Sequence, residues 1–299
     1  MKWLLSLPII RHLIQFLKSI PLSKNTFSLY DLLELYISGL IKGTLTHRAS
    51  AIAYSFFLAI FPFLLFILNL IPYIPIDHFQ VDFWIFIDGL LPPGTHQFFS
   101  DIFFDIAEKK RGGLLSSVFF LSIFLMTNGI MAIFGGFEFS YHIQLTRTYV
   151  KQYLYALMVA IILSLLVLFV VITFMGYEIY LVPYLEEINF LTDNETLLKI
   201  SKLGFVAVMT YIATSILFYF GTIEGRESKF FSVGSTFTTI LFGVTTYLFG
   251  IYIENFSQYN QLYGSIGALL IFLLYIWINS NILLLGFELN ATLLKLKKN

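Results

Sequence analysis

The chain has 299 residues, of which 58% are hydrophobic and only 12% charged, with a mean hydropathy of +0.83. Ordinary globular chains hold roughly 45–50% apolar and about 25% charged residues, so the charged side chains here are too few to coat a soluble domain of this size. The composition is that of an integral membrane protein and excludes disordered, collagenous and disulfide-scaffold chains. A net charge of zero gives no broad basic field for nucleic acid. The absence of cysteine removes thiolate nucleophiles, iron–sulfur clusters and cysteine-based zinc sites.

From Pro8 the spacing predicts an amphipathic helix closed by Pro21, with Ile10, Leu13, Ile14 and Leu17 on one face. About 13 residues cannot cross a hydrocarbon core of about 30 Å, so this helix is read as interfacial. Arg11 and His12 interrupt the N-terminal apolar run, so no cleavable signal is read there. A second short helix is expected at about 28–43, with Ser28 and Asp31 as a capping box and Leu29, Leu32, Leu33, Tyr36, Ile37 and Leu40 on its apolar face. It is expected along the membrane surface or under the bundle.

Six stretches are long and apolar enough to span: 49–72, 114–134, 153–175, 203–221, 232–253 and 263–286. Backbone polar groups in lipid must be satisfied within the segment, and the chain lacks the alternating strands of a barrel, so all six are helices. The expected fold is all-α and polytopic. Residues 1–48 form cytoplasmic amphipathic helices and residues 49–299 a six-helix transmembrane domain. With the N-terminus inside, thirteen Lys and Arg fall on the cytoplasmic side and five outside. The positive-inside rule then places both termini in the cytoplasm. The outer loops are acidic, and the first is expected to hold short helices at 83–91 and 97–108, split by Pro92-Pro93-Gly94. Phe99, Ile102, Phe103 and Ile106 share a face of the second; the pair either caps the outer mouth or is a packed linker.

Several spans are unusual. Pro62 near the middle of the first removes a backbone hydrogen bond and bends the helix, to open a cavity or simply to pack. The fifth carries small and hydroxyl residues, with Ser235, Thr239 and Gly243 four apart and Gly250 beyond. Such a stripe lets backbones approach closely, so this helix is expected to be the most buried or to lie at a subunit interface. The sixth shows one face of Tyr263, Gly267, Leu274, Trp277, Asn281 and Glu288, which is expected to point inward because lipid would penalise it. Asn279 then points toward another helix or subunit.

A local echo links two span ends: Gly136-Phe137-Glu138-Phe139-Ser140 and Gly286-Phe287-Glu288-Leu289-Asn290. A carboxylate at a helix C-terminus opposes the dipole and needs a partner. Glu288 and Asn281 are expected in a polar vestibule open to the cytoplasm with Glu138 beside them. The alternative pairs each Glu with Arg147, Arg226 or Lys295. Candidate pathway residues are therefore Glu288, Asn281, Glu138, Trp277, Tyr263, Asn290, Arg147 and Arg226. No nucleotide loop, His-Glu-x-x-His or serine elbow occurs, and the five histidines are scattered. No catalytic residue, metal ligand or cofactor is expected.

The stretch Ala51-Ile52-Ala53-Tyr54-Ser55-Phe56-Phe57-Leu58-Ala59-Ile60-Phe61-Pro62 resembles the "LAYY…SLFP" signature of the YihY/BrkB family. Tyr252, Asn255, Phe256, Tyr259, Asn260, Tyr263-Gly264-Ser265, Gly267-Ala268, Trp277, Gly286, Glu288 and Asn290-Ala291 resemble its "Y…NF..YN..YGS.GA…W…GAELNA" pattern, with Phe287 where the family commonly has Ala. The resemblance implies a bacterial inner-membrane protein with six helices. It also implies a role in virulence, serum resistance or the export of lipid or lipopolysaccharide precursors. Members have been labelled ribonuclease BN, for which this sequence offers neither metal ligands nor a basic face. The expectation is a transporter-like protein for a lipid or other amphipathic envelope substrate. The alternatives are a non-transporting scaffold for envelope assembly and, third, an intramembrane enzyme. Expected partners are membrane lipids, with a homo-oligomer or envelope-assembly proteins left open, and no nucleic acid.

Overall fold

The structure, a computed structural model, describes residues 29–42, 44–70, 112–140, 147–177, 191–255 and 265–298, with Ser28 and a few isolated positions elsewhere. The helices expected at 8–21, 83–91 and 97–108 lie almost wholly outside these residues. The described elements are α1 (Leu29–Lys42), α2 (Leu45–Leu70), α3 (Gly112–Glu138), α4 (Tyr149–Gly176), α5 (Leu191–Gly221), a 3-10 turn (Glu224–Glu227), α6 (Val233–Asn255) and α7 (Ser265–Lys298). The protein is all-helical, as its composition requires.

Among the described residues five segments are long and apolar enough to cross a membrane: Ser116–Glu138, Tyr149–Phe174, Ile200–Gly221, Val233–Tyr252 and Leu269–Leu296. α2, 26 residues long, forms where the first span is expected. Several boundaries differ from expectation, among them that of α5, which begins at Leu191, twelve residues ahead of the expected span. α2 starts four residues early, which brings Arg48 into its first turn. α7 runs through Gly286 to Lys298, because the residues that follow stay buried on one face and nothing there breaks the helix.

Each helix from α2 to α6 packs on the next in sequence, and α7 returns to α2, closing a ring. α3 also reaches α5 and α7 across the ring, and α1 lies against α7. Burial gathers at one end, where α2, α4 and α6 begin and α3, α5 and α7 finish. There Phe137 stacks on Phe287 with ring centroids 4.0 Å apart, and Phe218 meets both edge-on at 5.6 and 5.8 Å. Three helices thus converge on one aromatic plug, each such pair contributing about 0.5–1.5 kcal/mol beyond its buried area. Phe287, the departure from the family pattern, supplies a third of it. At the opposite end successive residues such as Thr246, Tyr247 and Leu248 in α6 are exposed, a run that covers more than half the helix circumference.

The closest helix crossing lies at the buried end. A Cβ on Gly286 would collide with Thr238 Oγ1 and the Gly234 carbonyl, and one on Gly234 with the Gly286 carbonyl and Asn290. Ser235 is buried beside this crossing and Thr239 is half-buried. The small-residue stripe does not continue as a contact: Gly243 and Gly250 are exposed and have no atom within 4 Å of a built Cβ. α6 is also not the most buried span, since α3 has the largest buried share. The reason is local. Thr238, Thr239 and Thr246 donate to the carbonyls of Gly234, Ser235 and Phe242 at 2.7–2.9 Å, so these hydroxyls do not need a buried face, although Thr246 also meets the Tyr275 hydroxyl of α7 at 2.7 Å.

Gly286→Ala is expected to lower stability by about 1–3 kcal/mol through overpacking, whereas Gly243→Ala should leave it unchanged. Thermal unfolding of the two variants in detergent checks the pair.

Candidate functional site

The polar chemistry of the buried end begins with α1. Ser28 and Asp31 form a reciprocal cap, the Ser28 N–H and Oγ donating to Asp31 Oδ2 at 2.8 and 2.7 Å and the Asp31 N–H to Ser28 Oγ at 3.3 Å. These bonds hold the Asp31 carboxyl below its ordinary value. One turn on, the Tyr36 hydroxyl donates to the Leu285 carbonyl of α7 at 3.1 Å. Burial, and then the nearby Glu288 charge, push the Tyr36 phenol up to about 12.

Between α1 and α2 the backbone turns at Thr44, in the left-handed region at φ 47°. That is an uncommon conformation for a β-branched residue. The Thr44 carbonyl accepts from the N–H groups of His47 and Arg48 and so starts α2. This places Arg48 against α3 and α7. Its Nη2 donates to Glu288 Oε1 at 2.7 Å and its Nη1 to the Gly136 carbonyl at 2.8 Å. The second carboxylate oxygen of Glu288 accepts from Ser140 Oγ at 2.8 Å. The pair is enclosed, the side chains being 5% and 0% exposed. Gly136 lies in the last turn of α3, where carbonyls have no partner within the helix, and Arg48 satisfies it. A side chain at Gly136 would press on Ile52 and Leu284 at 3.0 and 3.3 Å. One ion pair thus ties α2, α3 and α7. Arg48 Nε stays buried without a partner.

A second cation closes the neighbouring corner. Arg147, just ahead of α4, donates through Nη1 to the Phe220 carbonyl and through Nη2 to the Thr222 carbonyl, both at 2.7 Å, capping the C-terminus of α5. Its backbone N–H donates to Glu138 Oε1 at 3.3 Å. Burial, and then the charge of Arg226, hold the Arg147 guanidinium below its ordinary value. Arg226 itself is exposed, stacked over the Tyr155 ring.

The remaining candidates have structural partners. Asn290 caps α6: its Oδ1 accepts from the Gly234 N–H at 2.9 Å and its Nδ2 donates to Ser232 Oγ at 2.7 Å. Asn281 and Asn279 donate to the carbonyls of Trp277 and Tyr275 in their own helix, and the Trp277 indole donates to Ser50 Oγ at 3.2 Å. Pro62 lies inside α2, and the Ser122 hydroxyl sits 2.6 Å from its carbonyl. Tyr263 falls outside the described residues. The open vestibule expected around Glu288 is closed: the side chain has no accessible surface, and its cation is Arg48 rather than Arg147, Arg226 or Lys295. Glu138 keeps to the Arg147 backbone. A narrow cleft at this end, with room for about one water molecule, is walled by Phe218, Glu224, Phe287 and Asn290, and Glu288 is not part of its wall. Among the described residues no three His, Asp or Glu side chains are placed to share a metal ion.

Arg48 and Glu288 both lie within residues 37–299, which match the family described as "Virulence factor BrkB". The chain belongs to the BrkB family. A putative ribonuclease-like protein YfkH of Bacillus subtilis is 26% identical over 84% of this chain and 90% of its own length. A UPF0761 membrane protein of Psychrobacter is 26% identical over 93% of this chain, which spans half of that longer protein. Another UPF0761 membrane protein, from Coxiella burnetii, is 23% identical over 80% of this chain and 84% of its own. No solved structure matches the chain.

Sequence reasoning on this BrkB-family chain missed Arg48, Tyr36, Ser140 and Ser232. The signal for Arg48 was available: it stands one residue ahead of the apolar run that carries the first family motif, at the depth where Glu288 needed a cation. Arg48→Ala is expected to cost about 3–5 kcal/mol by leaving Glu288 buried and unpaired. Arg48→Met with Glu288→Leu should cost less than either single change, and denaturation of the three variants in detergent gives the coupling. Tyr36 generates a pH dependence. Its phenol keeps the proton to about 12 in the folded chain against 10.0 unperturbed, so stability should fall as pH rises through that window. Tyr36→Phe should flatten the fall in a stability–pH profile.

Proposed function

We propose that this membrane protein is transporter-like rather than an enzyme. In this reading it sits in the bacterial inner membrane with both termini in the cytoplasm and moves a lipid or other amphipathic envelope substrate. The observation that carries the reading is the asymmetry of the ring. One end is sealed by the Arg48–Glu288 pair and the Phe137–Phe218–Phe287 plug, while the other leaves apolar helix faces exposed. An amphiphile needs apolar helix faces for its tails and a polar gate for its headgroup. A buried pair of opposite charges joining three helices is a gate with two discrete states, closed when paired and open when α7 parts from α2. Ionisable residues inside a membrane bundle commonly mark such paths. The proposal needs no cofactor, and residues 1–48 and 49–299 act as surface helices and transport domain. The ribonuclease-like name of the Bacillus relative stays with that protein.

The non-transporting scaffold is favoured by a different observation, the complete pairing of the Glu288 carboxylate, which leaves it no free oxygen to offer a substrate. On that reading the exposed outer face of α6 meets a second copy or an envelope-assembly protein.

Reconstitution into liposomes separates the two. Transport predicts that the protein moves fluorescent phospholipids or a lipid-linked saccharide across the bilayer faster than protein-free vesicles do. Glu288→Gln, which keeps a hydrogen-bonding partner for Arg48 but leaves its charge without a counterion, should abolish that movement and lower the melting temperature, so flux is compared on the fraction that stays folded. Flux equal to that of empty vesicles for every amphiphile tried would sink the transport reading and support the scaffold.

A further inference from the structure

The corner formed by the start of α4, the end of α5 and the 3-10 turn holds charge that the Arg48–Glu288 gate does not use. The guanidinium of Arg147 lies 4.4 Å from the centroid of the Tyr155 ring, and that of Arg226 lies 4.7 Å from the same centroid and 5.8 Å from Phe220. Arg147 spends its donors on the α5 carbonyls and has Glu138 at its backbone. Arg226 is exposed over the two rings, and its own turn also carries Glu224 and Glu227. Lys151, also exposed, stands one turn before Tyr155 on the same face of α4. The two guanidinium groups on one ring repel each other, the charge of Arg226 pressing on Arg147, and Glu138 offsets part of that at Arg147.

The depth of this corner is marked independently. The rings of Phe220, Tyr219, Phe230, Phe231 and Tyr211 follow one another with centroids 5.0–5.6 Å apart. Tyr side chains favour the membrane–water interface, and Tyr219 stands two residues before the end of the α5 span. From the same corner an exposed apolar stripe runs along α4 through Val150, Leu154, Ile161, Leu165 and Ile172. These residues are spaced four and seven apart and so share one helix face.

We propose that this corner binds an anionic phospholipid, its phosphate held by Arg226 and Lys151 beside Tyr155 and its acyl chains lying along the α4 stripe. Charge alone would admit any anion. The stripe starts at the same end of α4, about 70° round the helix from Lys151, and so selects an anion whose apolar tails can lie beside the charges; basic pockets between transmembrane helices hold lipid headgroups by the same physics. The site is separate from the Arg48–Glu288 gate and stands whether or not the chain transports.

The test uses the full chain in detergent, partly delipidated and then offered equal amounts of phosphatidylglycerol and phosphatidylcholine, with bound lipid counted by native mass spectrometry. The wild-type chain should retain phosphatidylglycerol in preference. Arg226→Ala and Lys151→Ala should each reduce that preference about fivefold and together on the order of 25-fold, from roughly one interfacial charge apiece. Arg226→Lys should keep most of it. Arg147 is left intact because it caps α5, and an unchanged melting temperature in both alanine variants shows that the fold is retained. Equal retention of the two lipids by the wild-type chain, or an undiminished preference in the double variant, overturns the proposal. Displacement of the lipid by millimolar inorganic phosphate also overturns it, because the corner would then be a plain anion site.

Discussion

A guanidinium and a carboxylate shut away from water constrain everything around them. Alone, either charge would be too costly to bury; together they are tolerated only if every remaining hydrogen-bonding position is filled. Arg48 and Glu288 come close to that condition by recruiting the Gly136 carbonyl and the Ser140 hydroxyl, both at the end of α3. The pair therefore fixes which helix ends meet. α7 must place Glu288 beside the first turn of α2, and α3 must stop at the same level. The Phe137–Phe287 stack sits one residue before Glu138 and Glu288 in the two echoed segments, so the aromatic plug follows from the alignment that the ion pair demands.

Elsewhere the bundle meets much of the demand of lipid within single helices, with a few bonds between helices such as Thr246 to Tyr275. Threonine, serine and asparagine side chains in α3, α4, α6 and α7 donate to carbonyls one turn back. This habit makes a polar stripe a poor guide to which helix face is buried, since a hydroxyl already bonded to its own backbone can face lipid. Close approach is governed instead by what stands at a crossing. Gly234 and Gly286 allow backbone to meet backbone, and Asn290 then reaches across to cap α6.

The architecture was legible because it rests on composition and apolar run length, which the bilayer imposes directly. The Ser28–Asp31 cap was legible because both partners lie within one turn. The echo of Gly-Phe-Glu rightly marked two carboxylates in need of partners, but it could not name them. Glu138 meets Arg147, one of the cations the spacing offered, through its backbone N–H, whereas the cation for Glu288 lies on a helix formed 240 residues earlier. Local spacing carries no information on such pairings. Gly243 and Gly250 misled for the opposite reason: their spacing fits a close contact, but they lie on an exposed face of α6, while Thr246 and Phe249 on another face meet Tyr275 of α7.

The separation of Arg48 and Glu288 along the chain bears on how the protein is made. At a synthesis rate of about 5–20 residues per second, the 240 residues between them take roughly 10–50 s to emerge. Throughout that interval α2 stands in or near the bilayer with a permanent positive charge and no counterion. Arg48 lies in the first turn of α2, where a long side chain can reach the headgroups while it waits. Insertion of α7 then draws the charge inward and shuts it away from water. Closure of the pair thus waits on α7, and a chain truncated before Glu288 would display an unpaired arginine at its membrane surface.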